Sequence, residues 1–174
     1  MSRVSSVWKY GAVAAVVAVA AVGAKAQGLI QNPKVSAALA NQLVGDSVAA
    51  CAAKGYKVVA VVVDLDGVRQ AMLRGDGAPV HSIDNAYYKA YSAASITLGR
   101  NEGSTKEVAN RMAKNPPSNV PQTPLPNVTY AVGGVTIRAN GAAIGGIGVS
   151  GAPGGNFDEE CAMTALGKVQ DKLK

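Results

Sequence analysis

The short spacing between strand candidates constrains the fold of this 174-residue chain more than any other feature. Asn140 and Gly141 alone separate two of the candidates, and this dipeptide is typical of two-residue hairpin turns. Residues 64–67 separate another two. Because connections of two to four residues join only antiparallel neighbours, an antiparallel sheet is predicted. Its five candidate strands, which are rich in β-branched and apolar residues, are 56–63, 68–73, 128–132, 134–139 and 142–150.

Apolar residues at helical spacing predict helices before, between and after these strands. Asn32 followed by Pro33 is a typical start for the first helix, and Ser82 is a candidate cap for the second. The second helix is rich in alanine, which would allow it to lie close to a sheet. The four predicted helices span about 32–54, 82–98, 104–114 and 156–173. The predicted fold class is therefore α+β, with an antiparallel sheet of about five strands flanked by N-terminal, middle and C-terminal helices.

Residues 1–26 have the three-part layout of a secretory signal peptide. A short basic region precedes an apolar run, residues 11–22, built almost wholly of Ala and Val. Residues 24–26 then offer the small side chains that a signal peptidase recognises. A bilayer span needs about 20 apolar residues, so the shorter run disfavours a membrane anchor. We therefore predict export to the periplasm or the exterior, with residues 27–174 as a single mature domain.

Removal of the signal peptide would lower the charge of the protein. The whole chain carries 17 Lys and Arg against 11 Asp and Glu, a formal net charge of +6. Without Arg3, Lys9 and Lys25, the mature domain keeps a net charge of +3. It contains no run of basic residues and no aromatic residues interleaved with basic ones, so nucleic-acid binding is not predicted.

Cys51 and Cys161 are the two cysteines of the chain. In an exported protein they meet an oxidising compartment, which permits a disulfide. The bond would close a loop of more than 100 residues and contribute up to about 5 kcal/mol on the chain-entropy model. The alternative is two buried thiols that pack as small apolar groups, and the sequence gives no distance that decides between the two.

Two motif matches fail because of their context. Residues 146–151 match the dinucleotide fingerprint G-x-G-x-x-G, but these glycines lie within and at the end of a strand candidate, and no βαβ unit follows. Residues 64–67 lack the remaining ligands of a calcium-binding EF-hand loop, so a hairpin turn is predicted there. The glycines of 146–151 instead predict that another backbone or a flat ligand approaches the sheet closely.

His81 is the only histidine, and it lies in a Gly- and Pro-containing turn just before the second predicted helix. A lone histidine cannot build a structural zinc site, and the sequence supports no Ser-His-Asp or Cys-His arrangement. One imidazole in an apolar, glycine-lined setting is nevertheless enough to ligate a haem iron. A solvated loop histidine is the alternative.

Three stretches of the chain resemble the GlcG/HbpS family, small haem-binding domains that are also found at the end of some corrinoid adenosyltransferases. Together the stretches cover essentially all of the mature domain, and the third is the most specific. They read VVVDLDG at 61–67 with LRGDGA at 73–78, KAYSA at 89–93, and GGVTIR at 133–138 with IGGIGVSG at 144–151 and DEECA at 158–162.

The resemblance implies a five-stranded antiparallel sheet flanked by helices, of profilin-like architecture, which agrees with the element order above. It also implies haem or a related tetrapyrrole as ligand, and self-association, often into octamers or rings. Some members of the family are described as haem-degrading. The exported members that look most like this chain carry a histidine at the place of His81.

A bound haem requires an apolar slot and an axial ligand for its iron. We expect the slot between the second helix and the glycine-rich strand, at Gly146 and Gly148. His81 is the predicted iron ligand, and Tyr88 and Tyr91 are the alternatives, because a tyrosine can also ligate haem iron.

Cations are needed for the two propionates of a haem, and Arg74 and Lys89 are the candidates. Ordinary surface charge is the alternative for each of them. The predicted function is an exported module that binds haem or a related tetrapyrrole, in a scavenging, storage or sensing role, and that forms a homo-oligomer. Two alternatives stay open: an enzyme acting on haem or on a small acid metabolite, and a structural oligomeric subunit with no small ligand.

Overall fold

Four antiparallel strands form one sheet in the computed structural model, which describes residues 28–114 and 124–174. They are β1 (Val59–Asp64), β2 (Arg69–Arg74), β3 (Gly134–Ala139) and β4 (Ala142–Ser150). The spatial order is β2-β1-β4-β3, so β1 and β4 are central and β2 and β3 form the edges. Every neighbouring pair is antiparallel, which confirms the prediction from the short connections.

Helices pack on both faces of this sheet. They are α1 (Ala37–Ala52), α2 (Ser82–Ala93), α3 (Thr105–Lys114) and α4 (Gly155–Val169). α1 and α4 pack together on one face, and α2 packs on the other. All these elements belong to one compact unit, residues 32–174. The α+β class and the order of the elements agree with the sequence prediction, apart from one predicted strand.

Serine and threonine side chains set the start of α1 and the end of α2. α1 begins later than predicted, because the Oγ of Ser36 accepts a hydrogen bond from the N–H of Leu39 (3.2 Å) and caps the helix there. α2 ends before the predicted Leu98, because the hydroxyls of Ser95 and Thr97 donate to carbonyl oxygens of its last turn.

The segment predicted as a fifth strand, residues 128–132, is not a strand. The N–H of Thr129 donates to the Oγ of Ser92 in α2 (2.8 Å) instead of to a neighbouring strand. The outer edge of β3 is already occupied, because the N–H of Thr136 donates to the carbonyl oxygen of Gly103 (2.9 Å). The prediction of a fifth strand is therefore wrong, since the edge with which it would pair is taken.

A disulfide joins Cys51 of α1 to Cys161 of α4, with their Cα atoms 5.5 Å apart. Both cysteines are completely buried in the core between these helices and the sheet. The sequence leaves open a disulfide or two buried thiols, and the structure has the disulfide. The bond holds the first and last helices together on the same face of the sheet.

The predicted signal peptide, residues 1–26, lies outside the described residues and stays a prediction. Most of the predicted proline-rich loop, residues 115–127, lies outside them as well. In the two described ranges, no helix has both the length and the apolar character that a membrane crossing requires.

Candidate functional site

α2 lies directly on the glycines of β4. A Cβ atom at Gly148 would overlap the carbonyl oxygen of Ala86 and the amide nitrogen of Ala90, and one at Gly146 would lie 2.9 Å from the amide nitrogen of Ala94. The close approach that the glycines predict is thus made by the backbone of α2. The slot expected at Gly146 and Gly148 is filled by this helix, and neither glycine offers a surface to a ligand.

Lys89 belongs to α2, and its side chain is buried between this helix and α4 instead of lying at the surface. Its Nζ donates to the Oδ2 of Asp158 (2.7 Å) and to the carbonyl oxygen of Val149 (3.1 Å), and the residue is 3% exposed. Burial raises the pKa of the Asp158 carboxyl, against the lowering effect of the Lys89 ammonium. The pair ties α2 to α4. Lys89 cannot therefore meet the carboxylates of a ligand, contrary to the expectation from its position in the sequence.

Tyr91 packs on the turn between β1 and β2. A Cβ atom at Gly67, whose φ is +75°, would lie 2.8 Å from the ring Cδ2 of Tyr91, so the turn requires glycine at this position. Tyr91 follows His81 by ten residues, which corresponds to about 15 Å along a helix. His81 and Tyr91 therefore lie at opposite ends of α2.

The β1–β2 turn is fixed by one buried carboxylate. The Oδ1 of Asp64 accepts hydrogen bonds from the N–H groups of Asp66 and Val68 (both 3.0 Å), and its Oδ2 pairs with the Nζ of Lys34 (2.9 Å). Burial alone would raise the pKa of Asp64, but these bonds together lower it. The turn is a hairpin, as predicted. Within the described residues, no group of three His, Cys, Asp or Glu side chains is placed to hold a metal ion.

β2 has one side that the helices leave largely open. Arg69, Met72 and Arg74 project from the face on which α2 lies, because each pairs with a β1 valine of that face. A bulge at Gln70 places Arg69 and Met72, three residues apart, on this same face, which simple alternation does not predict. α2 packs over β1, β3 and β4 instead, and Met72 is 49% exposed.

His81 lies at the N-terminal end of α2, three residues after Ala78, whose carbonyl oxygen accepts hydrogen bonds from Arg74 of β2. Its carbonyl oxygen accepts a bond from the N–H of Asn85 (3.1 Å), while its exposed imidazole makes no capping hydrogen bond. Tyr88, 37% exposed, follows seven residues later, two turns and about 10 Å along the same face of α2. Val80, 72% exposed, adds apolar surface next to the histidine. The residues that we call the open shelf are Arg69, Met72, Arg74, Val80 and His81.

Two cations of the open shelf have no carboxylate partner within residues 28–114 and 124–174. The guanidinium of Arg69 stacks on the ring of Tyr87, 3.7 Å from its centroid. Arg74 donates from Nε (2.8 Å) and Nη2 to the carbonyl oxygen of Ala78. A guanidinium has five N–H donors, so Arg74 is held in place and still has donors for an anion.

A model of the family described as haem degrading protein HbpS-like matches residues 35–167. The chain belongs to the HbpS-like family. The matched range includes every strand of the sheet and nearly all of the four helices. The resemblance that the sequence motifs indicate is thereby confirmed. A comparison with curated proteins finds no match.

Solved structures of the same fold agree with this assignment. A double mutant of HbpS from Streptomyces reticuli is 33% identical, with 88% of this chain and 99% of that chain covered and a TM-score of 0.72. The protein ORFY of Klebsiella pneumoniae is 27% identical, covers 82% and 96%, and has a TM-score of 0.69. A PduOC–haem complex, 23% identical with coverage of 78% and 94% and a TM-score of 0.64, shares the fold.

Proposed function

We propose that this protein is an exported module that binds haem on the open shelf, with His81 as the iron ligand. The observation that carries the proposal is the exposed imidazole of His81, which lies near exposed apolar side chains and near cations that have no carboxylate partner among the described residues. Membership of a haem-related family supports haem as the ligand class. The structure of PduOC, which has the same fold, was solved with haem. Scavenging, storage and sensing are the roles that such a module can serve.

The side chains of the open shelf match the chemistry of a haem. Exposed Met72 and Val80 offer apolar surface to the macrocycle. The imidazole of His81 can ligate the iron, and the phenol of Tyr88, on the same face of α2, is the alternative donor. The remaining donors of Arg74 can bind a propionate. A bound haem supplies a redox-active iron, while these side chains hold and orient it.

We propose that the protein forms a homo-oligomer, which would cover the second side of the ligand. The open shelf offers one wall only. β2 is an edge strand, and such a strand has backbone groups available for pairing with another chain. Met72 and Leu73 leave 49% and 41% of their surface exposed on its two faces, and this apolar surface is available for burial against another chain.

Export of the protein to the periplasm or the exterior is part of the proposal. The Cys51–Cys161 disulfide supports it, because such bonds persist in oxidising compartments. The layout of residues 1–26, typical of a signal peptide, points in the same direction. N-terminal sequencing of the secreted protein tests this part, and we expect the mature chain to begin at Gln27.

Titration of the purified protein with haemin tests the function. We expect a shifted Soret band that saturates at one haem per chain, because each chain presents one open shelf. Light scattering on the same samples should give a mass above that of one chain. A stable oligomer that never takes up haemin would contradict haem binding and favour the structural subunit.

Haem degradation is a second candidate, because the description of the matching family names it. Incubation of the haem complex with ascorbate, with and without catalase, distinguishes the two candidates. We expect the Soret band to survive when catalase removes peroxide. If the Soret band is lost and iron is released at the same rate with and without catalase, the protein itself degrades haem.

A further inference from the structure

Lys57 lies next to the open shelf, although the sequence motifs give no sign of it. The N–H of Gly75 donates to the carbonyl oxygen of Val58 (2.9 Å), which continues the β1–β2 ladder beyond both strands. Val58 faces the core under α1 and α4, so the next residue back along the extended chain faces the opposite side. Lys57 therefore shares the α2 side of the sheet with Arg74 and His81.

The end of the Lys57 side chain lies close to Gly77, in the turn that leads to His81. A Cβ atom at Gly77 would lie 3.2 Å from Cδ of Lys57 and 3.3 Å from its Nζ. Gly77 has a φ of +71°, so glycine both permits this turn and leaves room for the lysine. The absence of a side chain at Gly77 thus lets the ammonium approach the backbone of the turn.

Lys57 is exposed, and in the described ranges no carboxylate lies within ion-pair distance of its Nζ. Arg74 pairs with Val59, two residues after Lys57, so Lys57 and Arg74 are diagonal neighbours across the extended β1–β2 ladder. Such neighbours are about 7–8 Å apart. The end of the open shelf nearest to His81 thus carries two adjacent cations that form no ion pair within the described residues.

We propose that Lys57 and Arg74 together bind the two carboxylates of the tetrapyrrole, in the role that sequence analysis gave to Lys89. The inference rests on the proposed haem binding. The two propionates of a haem leave the macrocycle from neighbouring pyrroles on one edge, and two neighbouring cations match that arrangement. Lys57 is a specificity-determining residue in this proposal, because it favours a dicarboxylate tetrapyrrole over an uncharged one.

The test compares haemin with haemin dimethyl ester, in which both carboxylates are blocked. Wild type should bind haemin more tightly than the diester, and Lys57→Met should bind haemin about three- to fivefold more weakly, as expected for an exposed charge pair. The affinity of Lys57→Met for the diester should not change. Lys57→Arg should keep the affinity for haemin, and Lys106→Met, which removes an exposed lysine from α3, is the matched control.

Absorption spectra separate this inference from the proposed function. The Soret maximum should be the same in wild type and in Lys57→Met, because the iron ligand is unchanged. Equal affinities for haemin and the diester in wild type, or equal losses in Lys57→Met and Lys106→Met, would overturn the role of Lys57 and leave haem binding intact. A wild type that binds neither compound would overturn both.

Discussion

Gly148→Ala is expected to lower the free energy of unfolding by about 3 kcal/mol or more, because overpacking against rigid backbone leaves no room for relaxation. The added methyl group would overlap the carbonyl oxygen of Ala86 and lie 3.1 Å from the Cα of Ala90. Both belong to the backbone of α2, so the helix must move away from β4. Urea unfolding followed by circular dichroism measures the loss.

Gly45→Ala is the matched control for this substitution. Gly45 lies within α1, and a Cβ atom there would meet no heavy atom within 4 Å beyond its chain neighbours and the local backbone of its own helix. Alanine in a helix interior is favoured over glycine by about 1 kcal/mol, so this variant should be slightly more stable than wild type. A Gly148→Ala protein as stable as wild type would show that α2 does not rest on β4 in the way described.

Replacement of both cysteines, Cys51→Ala with Cys161→Ala, is expected to lower the free energy of unfolding by about 3–5 kcal/mol. The disulfide closes a loop with a sequence separation of 110 residues, and on the chain-entropy model its largest effect is to restrict the unfolded chain. Removal of the bond therefore lets the unfolded state expand. Urea titration of the double variant and of wild type measures the difference.

Reduction provides the control for the cysteine variants. With dithiothreitol present throughout the titration, wild type should fall to the stability of the double variant, and the variant itself should not change. Because both sulfurs are buried, reduction should proceed through unfolding rather than in the native state. A double variant within about 1 kcal/mol of oxidised wild type would contradict the disulfide as a major source of stability.

The local pattern of the sequence predicts most of the fold. Asn140 and Gly141, whose φ angles are +48° and +82°, form the expected two-residue turn between β3 and β4. The fifth strand was wrongly predicted because local composition does not show which sheet edge is already occupied. That depends on the distant contact between Gly103 and Thr136.

The candidate site is less predictable, because it depends on burial and on register. Lys89 looks like a surface cation in sequence, yet the distant Asp158 draws it into the interior. The bulge at Gln70 changes which side chains of β2 share a face, so Arg69 was not predicted as a neighbour of the site. His81 could be singled out because it is the only imidazole of the chain and follows a predicted turn.

The central claim, that His81 ligates haem on the open shelf, is tested most directly by the absorption spectrum of His81→Gly with haemin, before and after addition of imidazole. His81 is exposed and its imidazole makes no capping hydrogen bond, so the variant should fold as wild type does. We expect the shifted Soret band to be lost in the variant and restored by imidazole, with Tyr88→Phe close to wild type. An unchanged Soret band in His81→Gly without imidazole would contradict the claim.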